Sequence, residues 1–74
     1  MITAERAFQI EVTTPQSRER QVFFVGQDSE EAALEVVSKN PALLPEPHFR
    51  VVRLLSQSAI TEFGIRPGGM FRWI

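Results

Sequence analysis

A chain of 74 residues, 43% hydrophobic and 23% charged, with five prolines and no cysteine, has the composition of one globular domain. It excludes a disulfide framework, a thiolate nucleophile and any cysteine-ligated metal. The net charge of −1 is uneven, with −4 on residues 28–47 and +3 on residues 48–74, and seven of the eight basic residues are arginine.

At this size only about 60% of the surface exposed by the unfolded chain is buried, so the core is thin and partner surfaces matter. Glu5 and Arg6 stand where a signal peptide would be apolar, and no run approaches the roughly 20 apolar residues of a membrane span. A cytoplasmic, soluble protein without a membrane partner is expected.

From Ala7 to Thr13 apolar and polar residues alternate, with Phe8, Ile10 and Val12 on one face of an extended chain and Gln9, Glu11 and Thr13 on the other. Thr14 to Arg20 is polar with Pro15 near its start, which suits a loop, and Gln21 to Val25 is rich in β-branched and aromatic residues. The two runs predict an antiparallel hairpin. In the second run both alternating sets, Val22 with Phe24 and Phe23 with Val25, are apolar, so both of its faces are expected to be covered.

Asp28-Ser29-Glu30-Glu31 opens a helix, with Asp28 as the cap and Glu31 reaching back to it. Ala32, Ala33, Leu34, Val36 and Val37 form its apolar side, Glu30, Glu31, Glu35 and Lys39 its solvated side, and Asn40-Pro41 ends it. Pro41, Pro45 and Pro47 stiffen the next connection, with Leu43 and Leu44 folding back over the core. Phe49 to Leu55 is the third strand, Phe49, Val51 and Leu55 on one face and Arg50, Val52 and Leu54 on the other, with Arg53 breaking the first set. Ser56 to Phe63 is a short helix capped by Ser56 or Ser58 that buries Ile60 and Phe63 and stops at a left-handed Gly64. Pro67-Gly68-Gly69 marks a turn, and Met70 to Ile74 is an apolar tail able to add a final strand.

The expected fold is α+β: a three-stranded, mainly antiparallel sheet of strand-strand-helix-strand connectivity and order 2-1-3, packed on one helix, with the short C-terminal helix appended. Order 1-2-3, with the second and third strands parallel, is the alternative.

No chemistry stands out. His48 is the one histidine and lies between Pro47 and Phe49, so no metal site is expected, and Glu30, Glu31 and Glu35 read as a solvated helix face rather than a cation cluster. Ser17, Ser29, Ser56 and Ser58 fall at turns or caps, where local hydrogen bonding accounts for them. Gly64 to Gly69 lacks the preceding strand and the Lys-Ser/Thr ending of a phosphate loop. The expectation is a protein without cofactor or catalytic site.

The aromatic and arginine content of the C-terminal third points instead to contact. Met70, Phe71, Arg72 and Trp73 are interface-type residues on a chain with a free strand edge, which suggests association with another protein or with a second copy as a homodimer. Arg50, Arg53 and Arg66, mixed with Phe49, Phe63, Phe71 and Trp73, form the basis of the alternative, a nucleic-acid-binding module, although the overall charge is slightly acidic. A third reading makes the acidic residues 28–46 bait for a basic partner, as in a small inhibitor or mimic.

Overall fold

The computed structural model describes residues 2–74. Its elements are β1 (Phe8–Thr13), β2 (Arg20–Val25), α1 (Glu30–Ser38), β3 (His48–Leu54), α2 (Gln57–Phe63) and β4 (Met70–Arg72). All strand pairs are antiparallel, and β1 lies between β2 and β3. The tail adds β4 beyond β2 as the extra strand that its apolar residues allowed, so the sheet has four strands and its order β3-β1-β2-β4 contains the expected 2-1-3.

The alternation of β1 decides the sheet's two faces. Phe8, Ile10 and Val12 are buried on one side, where the hairpin register sets Phe8 opposite Val25 and Ile10 opposite Phe23. Ala33 and Val37 of α1 close over this layer, with Leu34, Val36, Leu43 and Val51 at its margin. The second face is covered only in part: Val22 and Phe24 pack with Ala4, Ala7, Leu55, Ile60 and Ile65, so α2 roofs the region around β2. Both sets of β2 side chains are therefore buried, which is why that strand shows no alternation.

Three local expectations are corrected. The cap of α1 is Ser29, whose Oγ accepts from the Ala32 amide at 3.2 Å; Asp28 lies one residue outside the helix, and with Ala32 in the third helical position Glu31 has no capping-box role. In β3 the register slips between Gln9 and Ile10, with Arg53 opposite Gln9 but Val51 opposite Ile10. Val52 is thus the extra residue of a bulge, and a bulge reverses the parity of everything after it. Leu54 joins Phe49 and Val51 on the α1 face, Arg53 joins Arg50 on the other, and the apparent break at Arg53 disappears. Leu55, expected beside Phe49, is buried in the α2 cluster instead.

The proline-rich connection after α1 is held by a buried polar side chain. Gln21 is 3% exposed, donates from Nε2 to the Ala42 carbonyl at 2.8 Å and accepts at Oε1 from the Leu44 amide at 3.1 Å. The Asn40 side chain accepts from the Ala42 amide at 2.8 Å, forming the turn that leaves the helix.

The Ser29 cap yields a direct prediction. Ser29→Ala orphans the Ala32 amide at the first turn of α1 and is expected to destabilise the protein by about 1 kcal/mol, whereas Asp28→Ala changes urea stability by less than about half of that. Equal losses in the two variants would return the cap to Asp28.

Candidate interaction surface

The path of the chain to β4 is set by two glycine-dependent contacts. At the end of α2, Gly64 adopts φ 65° and ψ 37° and donates to the Thr61 carbonyl at 3.1 Å, while the Ile65 amide reaches back to Ile60 at 3.1 Å. This is a Schellman motif, and its hydrophobic contact is supplied by the buried Ile60 and Ile65. The loop then runs against the end of β2: Gly26 donates to Gly69 at 2.9 Å and accepts from Gly68 at 2.8 Å. A Cβ on Gly26 would overlap the Arg66 carbonyl oxygen, so only glycine lets the two backbones approach this closely.

From that turn β4 pairs with β2, Met70 opposite Val25, Phe71 opposite Phe24 and Arg72 opposite Phe23. The ladder continues past Arg72, because the Trp73 amide donates to Val22 at 2.7 Å and the Val22 amide to Ile74 at 3.1 Å. Alternation sends Phe71 to the α2 side of the sheet. There Phe24, Phe63, Phe71 and Trp73 form a closed cluster: Phe24 stacks on Phe63 at 4.9 Å, Phe63 lies 6.2 Å from Phe71, and Trp73 meets Phe63 edge-on at 5.6 Å.

The lower and upper halves of this cluster differ. Phe24 is buried and Phe63 half-buried, whereas Phe71 is 42% and Trp73 54% exposed. Met70 and Ile74 are also exposed, and a groove of about 220 Å³ lies between Phe63, Ile65, Arg66, Met70 and Phe71. All four tail residues singled out from the sequence, Met70, Phe71, Arg72 and Trp73, thus lie at one accessible sheet edge. Of the two rings that support the outer ones, Phe63 was grouped with Phe71 and Trp73 from the sequence, whereas Phe24 was legible as an apolar residue but not as part of this surface, since the Phe24–Phe71 pairing is a long-range contact. Ile74 belongs to the same edge.

The arginines do not gather. Arg50 and Arg53 lie on β3 at one edge of the sheet, while Arg66 lies in the loop leading to β4 at the other, with β1 and β2 between. Nor do they pair with the acidic helix. Arg50 and Arg20 both reach Glu11 of β1, at 3.4 and 3.1 Å, and Arg53 donates from Nε to the Gln9 side chain at 2.8 Å. On α1, Glu30 and Glu31 are solvated and Glu35 pairs with Lys39 at 3.0 Å.

The remaining polar groups have local partners. Ser29 and Ser56 cap the two helices, Ser58 lies 3.2 Å from Ser56, and Ser17 accepts from the Glu19 amide. A shallow groove of about 360 Å³ lies between Ile2 to Arg6, Gly26 to Asp28 and Pro67 to Gly68. His48 sits at the other end of β1, opposite Thr13, and takes no part in it. Among the described residues no three histidine or carboxylate groups converge on a point, and no helix is long and apolar enough to cross a membrane. No protein-family model, no curated protein and no solved structure matches this chain, so its surface alone carries the functional argument.

Proposed function

We propose that the protein is a non-enzymatic interaction module that associates with a second copy of itself through the β4 edge. The observation that carries this reading is the exposure of Phe71 and Trp73 on top of a packed aromatic base, at a strand that has no outer neighbour among the described residues. Rings already held by Phe24 and Phe63 lose little freedom on contact, and aromatic pairs contribute about 0.5–1.5 kcal/mol beyond the area they bury. An edge of this kind is left open at the risk of promiscuous pairing unless a partner covers it.

The residue order of β4 suits two-fold pairing. An antiparallel arrangement centred on Phe71 sets that ring beside its own copy and places Arg72 opposite Met70 of the partner subunit, so the guanidinium groups do not meet. Burial of rings and edge hydrogen bonds together supplies the free energy that a thin core lacks.

Sedimentation of the wild type across a concentration series, beside Phe71→Ala/Trp73→Ala, tests this. The wild type is expected to move from monomer to dimer, and the double variant to stay monomeric with its helical circular dichroism intact. A wild type that remains monomeric at every concentration overturns the proposal.

A further inference from the structure

The opposite edge of the sheet has a different chemistry. β3 spans seven residues and, among the described residues, has no neighbour on its outer side. Its two faces are sharply sorted: the bulge at Val52 brings Arg50 and Arg53 together on one, and Phe49, Val51 and Leu54 together on the other. No acidic residue lies in the strand, and Phe49 and Leu54 are exposed. Arg50 keeps 69% of its side chain in solvent despite its pairing with Glu11. Arg53 uses Nε for Gln9, and a guanidinium carries five donors, so both arginines retain capacity for a second acceptor.

The inner neighbour shows what this strand reads. β1 lays Gln9 and Glu11 beside Arg53 and Arg50, and Phe8, Ile10 and Val12 beside Leu54, Val51 and Phe49. A strand added on the outer side meets the same two rows of side chains, since cross-strand neighbours on each face interact on both sides of a strand. A second copy of β3 is a poor occupant, because pairing β3 with itself crowds four guanidinium groups onto one face.

We propose that β3 is a docking edge for an extended peptide in which carboxylates alternate with apolar side chains, bound as a fifth strand. The carboxylates lie against Arg50 and Arg53 and the apolar residues against Phe49, Val51 and Leu54, while backbone hydrogen bonds to the open edge supply sequence-independent affinity. This surface is separate from the β4 edge, with two strands between them, and stands whether or not the protein dimerises.

The probe is a capped, fluorescently labelled peptide of sequence Phe-Glu-Ile-Glu-Val-Thr, which is the β1 segment with Gln9→Glu, titrated with the 74-residue protein and followed by anisotropy. Saturable binding is expected that weakens with added salt. A peptide with both glutamates changed to lysine should bind about tenfold more weakly, the size of two cross-strand ion pairs, and this comparison needs no variant of the protein. Arg50→Gln/Arg53→Gln should lose the preference for glutamate, and Trp73→Ala should leave it unchanged. Absence of saturable binding, equal binding of the lysine peptide, or loss of binding in Trp73→Ala alone overturns the proposal. So does a dimer abolished by the arginine double variant, which would make β3 the contact between copies.

Discussion

Phe23→Ala is expected to leave much of the protein unfolded at room temperature. Phe23 is fully buried at the centre of β2, paired with Ile10 on one side and Arg72 on the other, and roofed by Ala33 and Val37 of α1. Truncating a buried phenylalanine costs about 3–5 kcal/mol, the lost transfer term plus the cavity left behind. Folded domains have roughly 0.05–0.15 kcal/mol per residue, and a core this small rarely supplies more than about 3–5 kcal/mol in total, so the loss is comparable with the whole stability. Urea titration followed by circular dichroism reads the effect. Phe49→Ala, an aromatic truncation at the exposed β3 edge, is the internal control and should change stability by less than about 1 kcal/mol. Similar midpoints for Phe23→Ala and the wild type would mean that the layer between α1 and the sheet is not the principal core.

Gly26→Ala is expected to cost about 1–3 kcal/mol, a large effect for one methyl group. The new Cβ meets the Arg66 carbonyl on one side and lies 3.1 Å from both the Ala4 Cβ and Ile65 Cγ2 on the others. None of these is the end of a flexible side chain. The Arg66 oxygen is fixed by the Gly69 amide at 2.9 Å, and Ala4 is tied to Ile65 by a backbone bond of 2.8 Å. Relief therefore requires the 64–69 loop to move away from β2, which breaks the Gly26 bonds to Gly68 and Gly69. Hydrogen exchange should report this as faster exchange at the Gly68 amide than at amides of the β1–β2 hairpin. Because the loop delivers β4, the variant should also change the emission of Trp73, the sole tryptophan. Uniform exchange across the sheet and an unchanged emission spectrum would show that the contact yields without cost.

Much of the architecture was legible because its signals are local. The alternation in β1, the serine at the start of α2 and Gly64 at its end each act within a few residues, and each has the predicted conformation. The cap of α1 was misplaced by one residue because Asp28 and Ser29 are equally able acceptors, and the choice between them depends on where the helical dihedrals begin. The two faces of β3 were misread beyond Val51, since a bulge is created by the pairing partner and leaves no periodicity of its own in the strand.

The candidate surface divides the same way. That residues 70–74 are apolar and interface-like follows from their identities, and their placement as an edge strand was one of the outcomes the alternation allowed. Of the aromatic base beneath them, Phe63 was already grouped with Phe71 and Trp73, whereas Phe24 was not legible as part of it because it comes from β2, far away along the chain. Arg50, Arg53 and Arg66 looked like one basic region along the chain and are split between opposite edges of the sheet.

By itself the order of amino acids determined the α+β class and the element types, since these depend on composition and on short-range periodicity. The tertiary structure decided between the two strand orders that the sequence left open and put the tail beyond β2, and therefore that aromatic side chains occupy one open margin and guanidinium groups the other. Strand neighbours are chosen by burial summed over the whole sheet, a quantity no local stretch of sequence contains.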